Sequence, residues 1–153
     1  MEKNIKVIIA DSSEDFRATM IDTLSMEPGI TVVGDTASGT ELLKMVAEKK
    51  PDVILIDFIL SDLDGLSVLK RLSASGDRGP AVIIVSCFAN EQTVTEAAGL
   101  GAKYFIQKPF SMSIAVEQIR RFGVPFSKRV TGKQGAMKPM SIEALVTEVI
   151  HEV

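Results

Sequence analysis

Five short runs rich in β-branched apolar residues, at 5–10, 31–34, 53–56, 81–85 and 104–107, alternate with longer segments whose apolar residues recur at helical spacing. This alternation constrains the fold more than any other feature. Parallel strands cannot be joined by a tight turn and need a crossover helix, so the pattern predicts βαβ units around a parallel sheet. The first, third and fourth runs are close to continuously apolar, as expected for strands covered by helices on both faces. The predicted class is α/β, a doubly wound five-stranded parallel sheet.

The intervening segments carry their own signals. Phe16, Met20 and Leu24 share one helical face behind a cap at Ser12 or Ser13, and Leu42, Leu43 and Val46 follow Ser38 in the same manner. Leu66, Leu69 and Leu72 mark a third helix. Val94, Ala97 and Ala98 mark a fourth, ending near the Gly99 and Gly101 stops, and Ile114, Val116 and Ile119 mark a fifth. After Phe122 the periodicity lapses. Residues 123–140 contain Lys128, Arg129, Lys133 and Lys138 with no acid and read as a flexible basic linker. Ser141 can then cap a last helix whose apolar residues Ile142, Leu145, Val146, Val149 and Ile150 form one stripe. The expected organisation is a first domain over 1–122, the linker over 123–140, and the start of a second, helical domain over 141–153 that this chain does not complete.

Composition narrows the partners. An apolar fraction of 46% supports a real core, and a net charge of −3 provides no global field for nucleic acid or an anionic membrane. The single cysteine, Cys87, cannot build a disulfide framework or a metal cage, and within its apolar stretch it reads as a small core residue. No apolar run approaches membrane-spanning length and no signal-peptide pattern opens the chain, so a cytoplasmic location is expected.

In a doubly wound sheet, ligands bind beyond the carboxyl ends of the strands, near the point where strand order reverses. Asp11 follows the first strand, Asp57 the third, Ser86 the fourth and Lys108 the fifth. With a strand order of 2-1-3-4-5, Asp11 and Asp57 converge at the switch point. Each residue alone is as well explained by a solvated strand end or a helix cap. Together they are the parts that phosphoryl transfer to a carboxylate requires: a carboxylate nucleophile, an acid for a divalent metal, and an ammonium and a hydroxyl for the transferred group. Mg²⁺ suits such a site because it takes one or two carboxylates and completes its shell with water and phosphate oxygens.

At these residues the chain resembles the receiver domains of two-component response regulators, over residues 5–122. Asp57, closing Asp52-Val53-Ile54-Leu55-Ile56 and followed by Asp64-Gly65, looks like the phosphoacceptor segment, and Lys108-Pro109-Phe110 looks like the family's lysine and proline. The resemblance implies a flavodoxin-like, CheY-like fold with order 2-1-3-4-5. It also implies Asp57 as phosphoacceptor, Lys108 and Ser86 as phosphoryl-binding groups, and Ser86 with Phe105 as the hydroxyl and aromatic switch pair. Metal contacts would come from Asp11, Asp57 and the backbone carbonyl of Ile59. A narrower similarity, to the sporulation master-regulator family of endospore-forming bacteria, rests on Ala102-Lys103-Tyr104-Phe105-Ile106-Gln107-Lys108-Pro109-Phe110 and on the tail ending Val149-Ile150-His151-Glu152-Val153. It implies a transcriptional output, with DNA bound only through a missing C-terminal effector domain. Expected partners are a histidine kinase or a phosphotransfer protein, and a second copy in a phosphorylation-linked homodimer, with no membrane.

Several positions depart from that pattern. Receivers carry two adjacent acids after the first strand, whereas Ser12 follows Asp11 here, so Mg²⁺ is expected to bind weakly. Glu14 and Asp15 fall in the first helical turn, where acids favour the dipole. Ile59 offers no polar side chain to position a water, so the chain is expected not to be an enzyme beyond slow self-dephosphorylation. It also argues against an aspartyl-phosphate phosphatase, which would want an acid there. The acidic, glycine-free turn Asp11-Ser12-Ser13-Glu14 argues against a flavin-binding protein of the same fold. The alternative to the switch is a degenerate receiver acting as a metal-independent protein-interaction module, motivated by Ser12.

Overall fold

A computed structural model describes residues 4–74, 79–87 and 90–123. The chain alternates strictly: β1 (Ile5–Ala10), α1 (Glu14–Leu24), β2 (Ile30–Thr36), α2 (Gly39–Lys49), β3 (Val53–Ile56), α3 (Gly65–Ser73), β4 (Ala81–Ser86), α4 (Glu91–Gly99), β5 (Tyr104–Gln107) and α5 (Met112–Phe122). All strand pairings are parallel and the order is β2-β1-β3-β4-β5. The expected doubly wound sheet and its order are therefore what the chain forms.

Every residue of β3 and β4 is buried. Each Val, Leu or Ile sealed there contributes about 1.5–3 kcal/mol of apolar burial, which makes the central strands the firmest part of the platform. β2 runs further at both ends than its apolar run of 31–34 suggested, because a register shift after Val7 lets Gly34, Asp35 and Thr36 continue the ladder opposite Ile8, Ile9 and Ala10. Ladder hydrogen bonds are indifferent to side chain, so pairing recruits these residues despite their weak strand preference.

The helices start where caps are available. Ser13, rather than Ser12, caps α1 by accepting from the Phe16 amide. Ser38, Asp64, Asn90 and Ser111 cap the other four. The buried face of α3 is Gly65, Val68 and Leu69, with Leu66 and Leu72 half-buried beside it, and that of α5 is Ala115, Gln118, Ile119 and Phe122. Reading only large apolar residues misplaces both stripes slightly, since a glycine, an alanine and a glutamine share them. Cys87 is exposed, correcting its reading as a core residue: it lies one position beyond the end of β4, where the chain leaves the sheet. The expected linker over 123–140, apart from Gly123, and the expected helix over 141–153 lie outside the described residues.

Candidate functional site

Strand register assembles the site. Ala10 pairs with Ile56, so the residues that follow, Asp11 and Asp57, leave adjacent strands side by side, and the Asp57 amide donates to the Ala10 carbonyl at 3.0 Å. Ser86 pairs with Gln107, and the Lys108 amide donates to the Ser86 carbonyl at 3.0 Å. Four residues spread over nearly a hundred positions thus meet at one end of the sheet.

Their side chains are in direct contact. The Lys108 ammonium donates to Asp11 Oδ2 at 2.7 Å and to Asp57 Oδ2 at 3.1 Å. The Ser86 hydroxyl donates to Asp57 Oδ1 at 2.7 Å, and the Ile59 amide reaches the same oxygen at 3.2 Å. Asp11 Oδ1 accepts from the Ser13 amide at 2.9 Å. The side chains of Asp11 and Asp57 are only 3% and 8% exposed, so neither charge could be left unpaired. Burial works against the Lys108 charge, but its hydrogen bonds to Asp11 and Asp57 and their Coulomb attraction outweigh that, holding its ammonium above the ordinary lysine range.

Phe105 is buried on β5 with its ring against Phe58, centroids 5.8 Å apart. The Ser86 hydroxyl on the neighbouring strand is at the same time bonded to Asp57. Ile59, two residues after Asp57, is 53% exposed. Ser12 is exposed, and Glu14 and Asp15 lie in the first turn of α1, where they complement its dipole.

The close approach of Asp64-Gly65 to Asp57 has a steric reason. A side chain at Gly65 would place its Cβ 2.6 Å from the Asp57 carbonyl oxygen and 2.8 Å from Phe58 Cα, so only glycine lets α3 start against the end of β3. Gly39 plays the same part at α2, where a Cβ would fall 2.3 Å from the Leu63 carbonyl oxygen.

Three supports were not found from sequence. Arg17 donates to the Asp11 carbonyl at 2.7 Å and to Asp35 Oδ2 at 2.8 Å, tying α1 to β1 and β2. Asp62 accepts from the Ser38 hydroxyl at 2.8 Å and the Gly39 amide at 2.7 Å, fastening the loop after β3 onto the start of α2. The Phe16 ring, read as a core residue, lies 4.0 Å below the Lys108 ammonium. Arg17 with Asp35, Asp62 with Ser38 and Phe16 with Lys108 each join segments far apart in sequence, and no local spacing signals them.

Two buried carboxylates that already share one ammonium form an oxygen pair suited to a hard cation of the Mg²⁺ type, which needs only one or two such ligands. No group of three or more Asp, Glu, His or Cys side chains is placed for metal among the described residues, so the acidic set here is the pair alone.

An acid pair, a hydroxyl and a bridging lysine thus meet at the switch point of a 2-1-3-4-5 sheet, where ligands bind in doubly wound folds. The chain belongs to the response regulator receiver domain family, whose model matches residues 7–120. It is similar to the response regulator domain of CheB from Thermotoga maritima, at 30% identity and a TM-score of 0.72, covering 78% of this chain and 96% of that one. The receiver domain of the Francisella response regulator 1452 is 27% identical with a TM-score of 0.71, over 83% of this chain and 99% of that one. The receiver domain of the NarL regulator of Mycobacterium tuberculosis, 24% identical with a TM-score of 0.73 over 78% and 95% of the two chains, shares the fold. As a receiver domain of the two-component type, the chain serves phosphorylation-dependent signalling. No helix among the described residues is long and apolar enough to cross a membrane.

Proposed function

We propose that Asp57 is the phosphoacceptor, taking a phosphoryl group from the phosphohistidine of a kinase or phosphotransfer protein. A carboxylate oxygen of Asp57 forms the new P–O bond as the P–N bond breaks and the imidazole departs, leaving an acyl phosphate that water later hydrolyses. The observation that carries this is the Lys108 ammonium bridging Asp11 and Asp57 while Ser86 bonds the other Asp57 oxygen, which puts both phosphoryl-binding groups in place before transfer. Asp11, Asp57 and the Ile59 carbonyl would hold Mg²⁺, with Ser12 standing where a further acid would sit. When bound, Mg²⁺ neutralises phosphoryl oxygens.

Ser86 and Phe105 are the proposed switch pair. A hydroxyl drawn from the Asp57 carboxylate to its phosphoryl group would change the space open to the Phe105 ring, and with it the surface offered to a second copy or an effector. We infer a cytoplasmic protein with a transcriptional output, in the manner of the sporulation regulators, with 123–140 as linker and 141–153 as the beginning of a DNA-binding effector domain. The support is the segment 102–110 and the apolar stripe from Ile142 to Ile150.

The second reading is a degenerate receiver that signals by protein contact without metal. Ser12 is exposed and Lys108 already offsets one of the two carboxylate charges, which favours it. Incubation with acetyl phosphate with and without Mg²⁺, followed by mass spectrometry of wild type and Asp57→Asn, tests both. A single phosphoryl group on the wild type, dependent on Mg²⁺ and absent from the variant, is expected. Stable phosphate on Asp57→Asn would refute the assignment, and no labelling of the wild type would favour the metal-independent module.

A further inference from the structure

Phe16 lies outside the four polar groups but touches the one that carries the positive charge. The Lys108 ammonium sits 4.0 Å from the Phe16 ring centroid while it bridges Asp11 Oδ2 and Asp57 Oδ2. The ring is braced edge-on by Phe110, with centroids 6.2 Å apart and planes inclined by 66°. We propose that Phe16 is a positioning residue for Lys108: its ring face holds the ammonium between Asp11 and Asp57, and so sets how strongly this resident cation competes with Mg²⁺ for the two carboxylates. The proposal rests on the reading of Asp11 and Asp57 as metal ligands.

An aromatic face carries partial negative charge and attracts an ammonium, more so where water is excluded. The Lys108 side chain is 21% exposed, so much of its solvation has been replaced by three partners, two carboxylates and the ring. A lysine stem has four rotatable carbons, and hydrogen bonds to two oxygens on one side would leave its head free to swing. The ring closes the other side of the cradle. Phe16 is itself held at the right height because Ser13 starts α1 one residue after Ser12, and Arg17 anchors the first turn to the Asp11 carbonyl.

A metal ion drawing on the same two carboxylates repels the ammonium that bridges them, so metal binding disfavours the bridged position of Lys108. A contact that stabilises the bridged lysine and not the displaced one lowers the apparent metal affinity by its own factor. The usual strength of a cation–aromatic contact corresponds to roughly 2- to 30-fold.

The test keeps the shape of the ring and changes its charge. Mono-, di- and trifluorinated phenylalanine placed at position 16 weaken the attraction in steps with little change in volume, and Phe16→Tyr and Phe16→Leu serve as aromatic and aliphatic references. Two quantities are measured by nuclear magnetic resonance: hydrogen exchange of the Lys108 ammonium without metal, and the Mg²⁺ dissociation constant from amide shifts at Asp11, Asp57 and Ile59. Ammonium exchange should quicken along the fluorinated series and in Phe16→Leu, and the Mg²⁺ dissociation constant should fall in the same order, by roughly 2- to 30-fold in Phe16→Leu. Phe16→Tyr should stay close to wild type in both. Exchange that is flat across the series overturns the positioning role. Quickened exchange with an unchanged or weakened Mg²⁺ affinity overturns the competition. If no protein shows a Mg²⁺-dependent shift, the metal-site reading is what fails, and ammonium exchange alone decides whether Phe16 positions Lys108.

Discussion

Ile59 and Ser12 lie close in sequence to the acid pair, and each is expected to set one property of the proposed phosphorylated state. Ile59 is more than half exposed two residues after Asp57, and its amide is committed to Asp57 Oδ1. A branched apolar group there can neither orient an attacking water nor admit one easily. Ile59→Asn should therefore shorten the acyl phosphate lifetime several-fold, measured by loss of the phosphorylated mass after the donor is removed; an equal lifetime would end the shielding argument. Ser12 is exposed at the end of β1 and brings no charge to a site that has only two acids. A carboxylate about 4 Å from a divalent ion in water-like surroundings gains roughly 2 kcal/mol, about thirty-fold in affinity. Ser12→Asp is expected to tighten Mg²⁺ binding by that order in an amide-shift titration. No tightening would mean that an added acid at position 12 does not reach the ion.

Between β3 and α3 the chain runs over the start of α2, and Asp62 is the residue that fastens it there. Hydrogen bonds from the Leu63 amide, the Thr40 hydroxyl, the Ser38 hydroxyl and the Gly39 amide hold its carboxyl far below the usual carboxylate range. The Ser61 amide adds a bond to the Ala37 carbonyl at 2.8 Å, so the loop that carries Ile59 is tied at two points. A carboxyl whose value is lowered by folding stabilises the folded state fully above its unfolded value near 3.8, and that contribution fades as the pH drops below it. Asp62 is solvent-exposed, so screening keeps the effect modest. In urea unfolding followed across pH, Asp62→Asn should be slightly less stable than wild type at neutral pH, and the gap should narrow below about pH 4. A gap that stays constant down to pH 2 would show that the carboxylate charge is not what fastens the loop. Local sequence announced Ser38 as a cap because a cap bonds within its own turn. It could not announce Asp62, whose partner Ser38 lies 24 residues away.

At the scale of the molecule, the sheet is the route by which the proposed switch pair would connect Asp57 to the surface of α4 and α5. Ser86 and Phe105 sit on adjacent strands, β4 and β5, with Ile84 paired to Phe105 two residues before the Ser86 hydroxyl that bonds Asp57. If that hydroxyl couples the site to the ring, Ser86→Ala should still be phosphorylated by acetyl phosphate yet lose the shift changes that phosphorylation induces at Val94 on α4 and Phe122 on α5. Unaltered changes at those amides would place the coupling elsewhere. The alternating pattern of apolar runs and helical faces determined the class of fold, the five strands and which of their ends carry acid, hydroxyl and lysine, because burial periodicity is a local property of the chain. Only the tertiary structure decided that β2 extends past its apolar run, that Cys87 falls outside the core, that Asp62 is a latch and that Phe16, besides packing against the core, faces an ammonium. Those outcomes depend on register, on loop paths and on which side chains meet across strands, and such contacts between distant segments leave no periodic trace along the sequence.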